Sequence, residues 1–229
     1  MFLQIIQAGQ AAASSSFLQG VTIIRIKDTE KRRKLASIAG NQSYIQTAAE
    51  FLIFCADLNR SMKCCKIHHE VPTKGYTEQF IIATVDTALF AQNVVVAAES
   101  AGLGICYIGA IRNNPREVTQ LLKLPEHVYP VFGLCIGYPA QDPEIKPRLP
   151  VSVVLKDDAY QVEGEISQIR AYDQLMKNYY SSRSSNLNHS LTASKRKTQS
   201  WSEQMSSLLS KEKRVHMRDF LREQGFEMK

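Results

Sequence analysis

The sequence predicts an α/β or α+β fold in which a sheet packs against one long central helix. The first observation is that short β-branched, apolar runs alternate with amphipathic segments along the chain, a pattern typical of strands between helices. The second is the segment from about Thr77 to Gly104, where apolar and small residues surround nearly every face. A helix of that composition is normally buried, so we expect it at the centre of the fold.

The first third of the chain predicts three helices and two strands. Phe2, Ile5, Ile6 and Gly9 share one helical face, which indicates an opening helix. Four further elements follow in order. VTIIRIKD alternates and is β-branched, which predicts a strand, and EKRRKLASIAG is a polar-faced helix that ends on glycine. NQSYIQTA is a short helix, and the fully apolar AEFLIFCADL is a buried strand.

The remaining elements are predicted on similar grounds. The polar run RSMKCCKIHHEVPTKGYT contains a proline and a glycine and is expected to be irregular. Gly102 and Gly104 close the long helix. In NNPREVTQLLKL the N-cap is Asn113 or Asn114, and Pro115 is the first helical residue. Strands are predicted at ICYIGAI and YPVFGLCIGYP, and terminal helices at WSEQMSSLLS and HMRDFLREQGF.

The net charge of +6 is concentrated in one segment. Between Arg183 and Arg218 eight lysines and arginines stand against Glu203 and Glu212 alone, so this segment accounts for the whole excess and should attract a polyanion. It lacks the interleaved aromatic residues of single-strand binders, so we expect no nucleic-acid partner. Residues 181–200, which are rich in Ser, Asn and Lys, are expected to be mobile.

The cysteines indicate a reducing compartment. Three of the five lie in apolar segments, where cysteine usually acts as a small buried hydrophobe, and this fits a cytoplasmic protein. Cys64 and Cys65 precede His68 and His69, which raises zinc as an alternative. The group lacks the usual Cys-x2–4-Cys spacing, so we favour an exposed polar loop without metal. No apolar run reaches the roughly 18 residues of a membrane span.

Three local features suggest ligand binding, and each has a purely structural alternative. Lys146 and Arg148 point the same way on an extended, proline-stiffened segment, which is either a phosphate clamp or an exposed loop. CYIGAIRNN brings backbone N–H groups to a strand end or is ordinary helix capping. The serines of AAASSSFLQG bind a ligand or cap the first helix. No phosphate loop, nucleophile elbow or dinucleotide fingerprint occurs in the sequence.

These features recur in the order of a known family. SSSFLQ, AGNQSYIQTAAEFLIFCADLNR, VDTALFAQNVVVAAESAGLGICYIGAIRNN and KPRLP resemble the oxygen-insensitive NADPH nitroreductase / NADPH–flavin oxidoreductase family. The resemblance implies an α+β, nitroreductase-like fold, with a central mixed sheet around the long buried helix and flanking helices. It implies an FMN-binding core over residues 1–160. Residues 161–229 would form a dimer-forming excursion that carries the 181–200 loop.

The resemblance also implies where the cofactor FMN and the co-substrate NADPH bind. The Lys-Pro-Arg stretch would hold the FMN phosphate, the Gln-x-Tyr and Tyr-Ile-Gly stretches would flank the ring, and the serine run would come from the partner subunit. The residues implied for FMN are Ser14, Ser15, Ser16, Gln42, Ser43, Tyr44, Tyr107, Ile108, Gly109, Ala110, Lys146, Pro147 and Arg148. The resemblance assigns Arg183 to the NADPH phosphates, and we expect Lys195, Arg196 and Lys197 of the basic segment to assist it.

The implied function is a ping-pong oxidoreductase. A hydride would pass from NADPH to FMN, and two electrons would then pass to a nitroaromatic, a quinone or free flavin. The flavin supplies the electron chemistry and the protein positions it, so no side chain is expected to act as an acid or base. The family resemblance further implies a homodimer, with no membrane partner.

The sequence departs from the family pattern in three places. The family's His-Arg-Ser-x-Arg segment is missing because Met1 falls inside the first helix, so we expect a shortened start rather than a leader. Ala110 replaces a second glycine, and the 181–200 loop is longer than usual. Losing two charge-assisted hydrogen bonds would weaken FMN binding by roughly two to four orders of magnitude. A truncated remnant that folds and dimerises without retaining FMN is therefore the alternative.

Overall fold

The computed structural model describes residues 1–142, 144–182, 199–226 and 229. They form two compact units, of which the first is discontinuous in sequence. Met1–Gln141 and Arg214–Lys229 make up the first unit, and Asp142–Lys213 make up the second.

The first unit combines a sheet with helices on both of its faces. Its strands are β1 (Val21–Arg25), β2 (Glu50–Asp57), β3 (Gly104–Ile108) and β4 (Val128–Gly137). Its helices are α1 (Phe2–Gln10), α2 (Thr29–Ile38), α3 (Tyr44–Thr47), α4 (Asn59–Ile67), α5 (Thr77–Ser100), α6 (Pro115–Leu122) and, from the end of the chain, α10 (Met217–Glu223). The second unit contains α7 (Val151–Val154), α8 (Glu165–Ser182) and α9 (Trp201–Leu209).

The sheet has the strand order β1-β2-β4-β3. The predicted α+β fold is confirmed, but the predicted mixed sheet is not found among the described strands, because all three pairings are antiparallel. The continuous apolar run of β2 resembles a parallel strand, whose two faces are usually both buried. Here an antiparallel strand has the same composition because apolar clusters cover both faces, with Phe51 and Ile53 in one and Leu52 and Phe54 in the other.

The long helix α5 packs on one face of the sheet together with α1. Its Ala91, Val94 and Ala98 are fully buried in a cluster that also holds Ile5 of α1. Gly9 allows the two helices to approach, since a Cβ there would lie 2.3 Å from Phe90. A side chain at this position would therefore push α1 away from α5.

The expectation that α5 is buried on nearly every face is only partly confirmed. Ile81, Val85, Leu89 and Val96 follow one another at helical spacing and are each about half exposed. By length and composition α5 would also suffice for a membrane span, contrary to the expectation from the sequence. In the first unit it is instead a core helix with one uncovered apolar stripe, which we call the α5 stripe.

The segment predicted to be irregular after β2 begins with helix α4. No local sequence signal predicts this helix, because α4 has no side-chain N-cap and no fully buried residue. The helix is held by tertiary contacts. Arg60 donates hydrogen bonds to the carbonyls of Gln19 and Val21 at 3.0 and 3.2 Å, and Met62 packs against an apolar cluster.

The end of the chain completes the first unit. Phe220 is fully buried, and Phe226 lies edge-on to Tyr129 at 5.2 Å between ring centroids. The guanidinium of Arg116 in α6 donates two hydrogen bonds of 2.6 Å to the carboxylate of Glu223 in α10. The predicted terminal helices are both confirmed, and α10 packs into the core of the first unit.

The second unit has a small core of its own, formed by Tyr172, Met176 and Tyr179 of α8. Trp201 of α9 lies edge-on to Tyr172 at 5.6 Å between ring centroids. A capping box between Ser200 and Glu203 starts α9, which explains why this helix was recognisable in the sequence. Most of the 181–200 loop, from 183 to 198, lies outside the described residues.

Candidate active site

The Gln42–Tyr44 stretch forms a fixed polar corner between α2 and α3. The side-chain amide of Gln42 donates to the Ala39 carbonyl at 2.8 Å, and the Tyr44 hydroxyl donates to Oε1 of Gln42. Ser43 is exposed at the N-terminus of α3. The Tyr44 ring remains 42% exposed, so this corner presents a hydroxyl and an amide to solvent on a backbone that is already anchored.

The end of β3 lies beside that corner. Cys106 and Cys135 are direct partners across β3 and β4, and the Cys135 thiol donates weakly to the Tyr44 carbonyl at 3.7 Å. Burial, together with the neighbouring Cys106, raises the pKa of Tyr44 to about 12. Two of the segments expected from the sequence, Gln42–Tyr44 and the stretch that begins at Tyr107, are thus brought together.

The stretch from Tyr107 to Ala110 turns out of the sheet into a 3₁₀ turn over Gly109–Asn113. Ile108 is buried, whereas Tyr107 is exposed and lies edge-on to Phe132 at 5.1 Å between ring centroids. No side chain caps the turn, which leaves its first backbone N–H groups for a ligand or water. A Cβ on Gly109 would meet only the Arg112 guanidinium, at 3.6 Å, so the backbone is accessible there.

The serine run lies elsewhere in the first unit. The backbone N–H of Ser15 donates to both carboxylate oxygens of Asp86, at 3.1 and 3.3 Å. Ser14 accepts a hydrogen bond from the Gln19 N–H at 3.3 Å, and Ser16 has a left-handed φ of 49°. The run borders a cavity of about 540 Å³ lined by Ser14, Arg60 and Asp86 among others, and none of its lining residues belongs to Gln42–Tyr44 or Tyr107–Ala110.

The Lys-Pro-Arg stretch belongs to the second unit. The Tyr172 hydroxyl donates to the Pro147 carbonyl at 2.9 Å, and the Arg148 guanidinium donates to the Lys146 carbonyl at 2.6 Å. The Lys146 ammonium lies 5.3 Å from the centroid of the Tyr180 ring. Neither cation forms an ion pair within the described residues, so both charges remain available to an anion.

Four expected residues cannot be placed. Arg183, Lys195, Arg196 and Lys197 lie outside the described residues, and their assignment to NADPH stays a prediction.

Asp86 is a site-bordering residue that the sequence reasoning missed. It is 4% exposed in the middle of α5, and its carboxylate accepts the backbone N–H of Ser15 in the serine run. The signal was present in the sequence, because Asp86 is the only charged residue between Glu78 and Glu99. A lone acid in such an apolar helix is rarely buried without a partner.

Comparison with known proteins identifies the family. The profile of the nitroreductase family matches residues 1–138, and that of the nitroreductase family C-terminal domain matches residues 146–229. The chain belongs to the nitroreductase family. The fold and the resemblance inferred from the sequence are thereby confirmed, and the matched ranges cover the Gln42–Tyr44, Tyr107–Ala110 and Lys146–Arg148 stretches.

The relatives of this nitroreductase family member are enzymes. The chain is 46% identical to an NADPH-flavin oxidoreductase of Vibrio harveyi, across 96% of this chain and 86% of the relative. It is 44% identical to an oxygen-insensitive NADPH nitroreductase of Salmonella typhimurium, across 97% and 87%.

Solved structures agree with this assignment. Nitroreductase A from Vibrio parahaemolyticus superposes with a TM-score of 0.87 at 44% identity, covering 100% of this chain and 89% of that one. The NADPH:FMN oxidoreductase of Vibrio harveyi, solved in complex with NAD+, gives a TM-score of 0.85 at 43% identity, covering 99% and 89%.

Proposed function

We propose that this nitroreductase family member is an FMN-dependent oxidoreductase that uses NADPH to reduce nitroaromatics, quinones or free flavin by a ping-pong mechanism. FMN, when bound, would supply the hydride and electron-transfer chemistry, and the residues of this chain would hold and orient it. The observation that carries the proposal is the meeting of the Gln42–Tyr44 corner with the end of β3, at the two stretches that the family pattern assigns to the flavin ring.

The chemistry of these residues fits a flavin ring. A ring edge with carbonyl and N–H groups needs both donors and acceptors, and the corner offers the amide of Gln42 and the hydroxyl of Tyr44. The uncapped turn at Gly109 offers backbone N–H groups without a side chain in the way. Because the Tyr44 phenol already donates its proton to Gln42, its oxygen remains as an acceptor for the ring edge.

The FMN phosphate is assigned to Lys146 and Arg148. The support is the absence of ion-pair partners for these two cations among the described residues and the anchoring of the backbone between them by Tyr172. A clamp that is fixed before binding loses little entropy when the anion arrives.

A homodimer is proposed from the α5 stripe. An apolar helix face left in water is unfavourable, and covering it with a second copy removes that cost. Asp86 lies on the same helix, next to Val85, and holds Ser15 through its backbone. A dimer that closes over this stripe would present Ser14, Ser15 and Ser16 to the partner's flavin. We place this homodimer in the cytoplasm, where its cysteines stay reduced.

The test is the visible absorption spectrum of the purified protein with added FMN, followed by anaerobic addition of NADPH. We expect a bound-flavin spectrum that bleaches with NADPH and returns when a quinone is added. Steady-state double-reciprocal plots should be parallel for the ping-pong scheme, and intersecting lines would exclude it. A protein that neither binds FMN nor oxidises NADPH would refute the proposed activity.

The phosphate assignment has its own test. Lys146→Ala combined with Arg148→Ala should weaken FMN binding by roughly a hundredfold, because two charge-assisted contacts are lost. The control is Lys31→Ala combined with Lys34→Ala, which removes the same charge from exposed positions on α2. Equal FMN affinity in the two double variants, measured by flavin fluorescence quenching, would contradict the assignment.

A further inference from the structure

A second polar cavity lies at the opposite end of the sheet from the candidate flavin site. It has a volume of about 160 Å³, and its polar lining comes from Asn59, Lys63, Lys66, Lys74, Glu126 and His127. His127 immediately precedes β4, whereas Tyr107 pairs with Leu134 further along that strand. At about 3.4 Å per residue the two places are roughly 20 Å apart, so this cavity is separate from the site already described.

Positive charge dominates the lining. Lys63 and Lys66 are three residues apart on α4 and share one helical side, and Lys74 comes from the segment before α5. Glu126 is the only acid in the lining. Within the part of the chain that the structure describes, none of the three ammonium groups forms an ion pair. All three lysines are exposed, and their charges would attract an anion towards the cavity.

His127 provides the second, independent observation. It is only 8% exposed, and its backbone is fully used, since its N–H donates to Gln224 at 2.7 Å and its carbonyl accepts from Leu58 at 2.9 Å. His127 lines the cavity, and no hydrogen bond to its ring is found among the described residues. Its ring nitrogens are not among the enclosed side-chain atoms that lack a partner, so they are accessible to a ligand.

The imidazole is held in place before any ligand binds. Its ring packs against Gly225 so closely that a Cβ there would lie 2.4 Å from Cε1. The backbone of His127 has a left-handed φ of 60°, and the neighbouring Glu126 carbonyl accepts a hydrogen bond from the Asn59 amide at 3.1 Å. A donor fixed in this way loses little freedom on binding.

We propose that this cavity binds the phosphoryl group of a small anion, either free phosphate or the phosphate of a nucleotide. Three ammonium groups and an imidazole N–H are donors suited to phosphate oxygens, and three lysines would repel a metal cation. The volume is well below the roughly 300 Å³ or more of sites that enclose a whole drug-sized ligand. Only the phosphoryl group would therefore enter. The proposal does not depend on the assignment of FMN.

The test uses protein labelled with ¹⁵N on its histidines, five in all, and follows the ring signals by NMR. Phosphate is titrated against chloride at constant ionic strength. We expect one ring signal to shift saturably, and His127→Asn should remove that signal. Asparagine tolerates the left-handed backbone, so this variant should keep the fold.

Charge variants show whether binding is local. Lys63→Ala combined with Lys66→Ala should weaken phosphate binding about tenfold for each lysine. Lys31→Ala combined with Lys34→Ala on α2 loses the same charge and should bind as the unaltered protein does. Equal weakening in both double variants would show general charge attraction and overturn the proposal.

The source of the phosphoryl group is settled by comparing ligands. A shift of the His127 signal with orthophosphate assigns the cavity to the free anion. A shift with NADP+ but with neither orthophosphate nor NAD+, and one that Lys63→Ala/Lys66→Ala abolishes, assigns it to a nucleotide phosphate. No shift with any of the three would refute the site.

Discussion

Asp86 shows how one buried charge fixes the backbone of the serine run. Its carboxylate is almost fully enclosed in α5 and accepts the Ser15 N–H with both oxygens. Such a hydrogen bond to a charged acceptor is stronger than one between neutral groups. The backbone of the serine run is therefore held by a residue seventy-one positions away in sequence.

Asp86→Ala should release the serine run. The Ser15 N–H then loses its acceptor, so we expect a loss of about 1–3 kcal/mol in the free energy of unfolding and weaker FMN binding. Asp86→Asn keeps an acceptor oxygen and should restore most of both. Urea denaturation and FMN titration measure the two effects, and equal behaviour of the Ala and Asn variants would contradict this role.

Alanine substitutions at Gly109 and Gly133 should distinguish an effect on FMN binding from an effect on core packing. A Cβ at Gly109 finds ordinary contact distances, whereas a Cβ at Gly133 would lie 2.8 Å from the Phe51 ring. Gly109→Ala should therefore leave the unfolding free energy within about 0.5 kcal/mol while weakening FMN binding. Gly133→Ala should destabilise the fold by about 1–3 kcal/mol. A Gly109→Ala variant with unchanged FMN affinity would argue against flavin at this turn.

The buried thiol of Cys135 should make the folded protein less stable at alkaline pH. Burial raises the pKa of its thiol from 9.0 to about 12 in the folded protein. As the pH rises, the thiol of the unfolded protein ionises before that of the folded protein. The folded state is therefore at its most stable, as far as this thiol is concerned, below pH 9, and it loses stability as the pH rises towards 12. We expect the free energy of unfolding to fall as the pH rises from 9.0 to about 12, and to fall less steeply in Cys135→Ala. Parallel curves for the two proteins would contradict this.

At the scale of the element, α5 has two opposite faces with different tasks. One face is fully buried on the sheet through Ala91 and Val94, and the other carries the half-exposed α5 stripe. The sequence reveals that the helix is apolar all round, but periodicity alone does not tell which face the chain covers and which it leaves exposed.

Leu89→Lys should dissociate the proposed dimer. A charge placed in the centre of an apolar interface must be desolvated without a partner, so the protein should sediment as a monomer at micromolar concentration. Glu99→Lys on the exposed end of the same helix is the control and should leave the mass unchanged. A dimer that persists in Leu89→Lys would place the interface on another surface.

The elements differ in how far the sequence determined them. The first residue of α6 was predicted correctly because Pro115 starts the helix, and Asn114, one of the two expected caps, caps it; such signals are local. The α4 helix was missed because its stability comes from contacts of Arg60 and Met62 with distant parts of the chain. Local propensity cannot report contacts that form only after the fold exists.

At the scale of the whole molecule, the last helix, α10, completes the core of the first unit. Phe220→Ala should lower the free energy of unfolding by about 3–5 kcal/mol, since it empties a fully buried position. Leu209→Ala, at an 82% exposed position, should change it by no more than about 0.5 kcal/mol. Denaturation midpoints measure both, and similar values for the two variants would contradict the closure by α10.

The candidate site was predicted in pieces rather than as an assembly. The sequence identified the Gln42–Tyr44 and Tyr107–Ala110 stretches through their family pattern, but their meeting depends on the pairing of β3 with β4, which no single segment encodes. The role of Asp86 was missed for the same reason. Its partner, Ser15, is far away in sequence and uses a backbone N–H, a group that every residue except proline carries.

The discontinuous first unit also constrains the order of events during protein synthesis. Phe80 and Tyr129 leave the ribosome while the entire second unit and α10 are still unmade, so their cluster stays uncovered until Phe220 and Phe226 arrive. The first unit therefore completes its core only after residues 214–226 have been made. A nascent chain interrupted within residues 142–213 would expose this aromatic surface, which is the kind of feature that chaperones and proteases recognise.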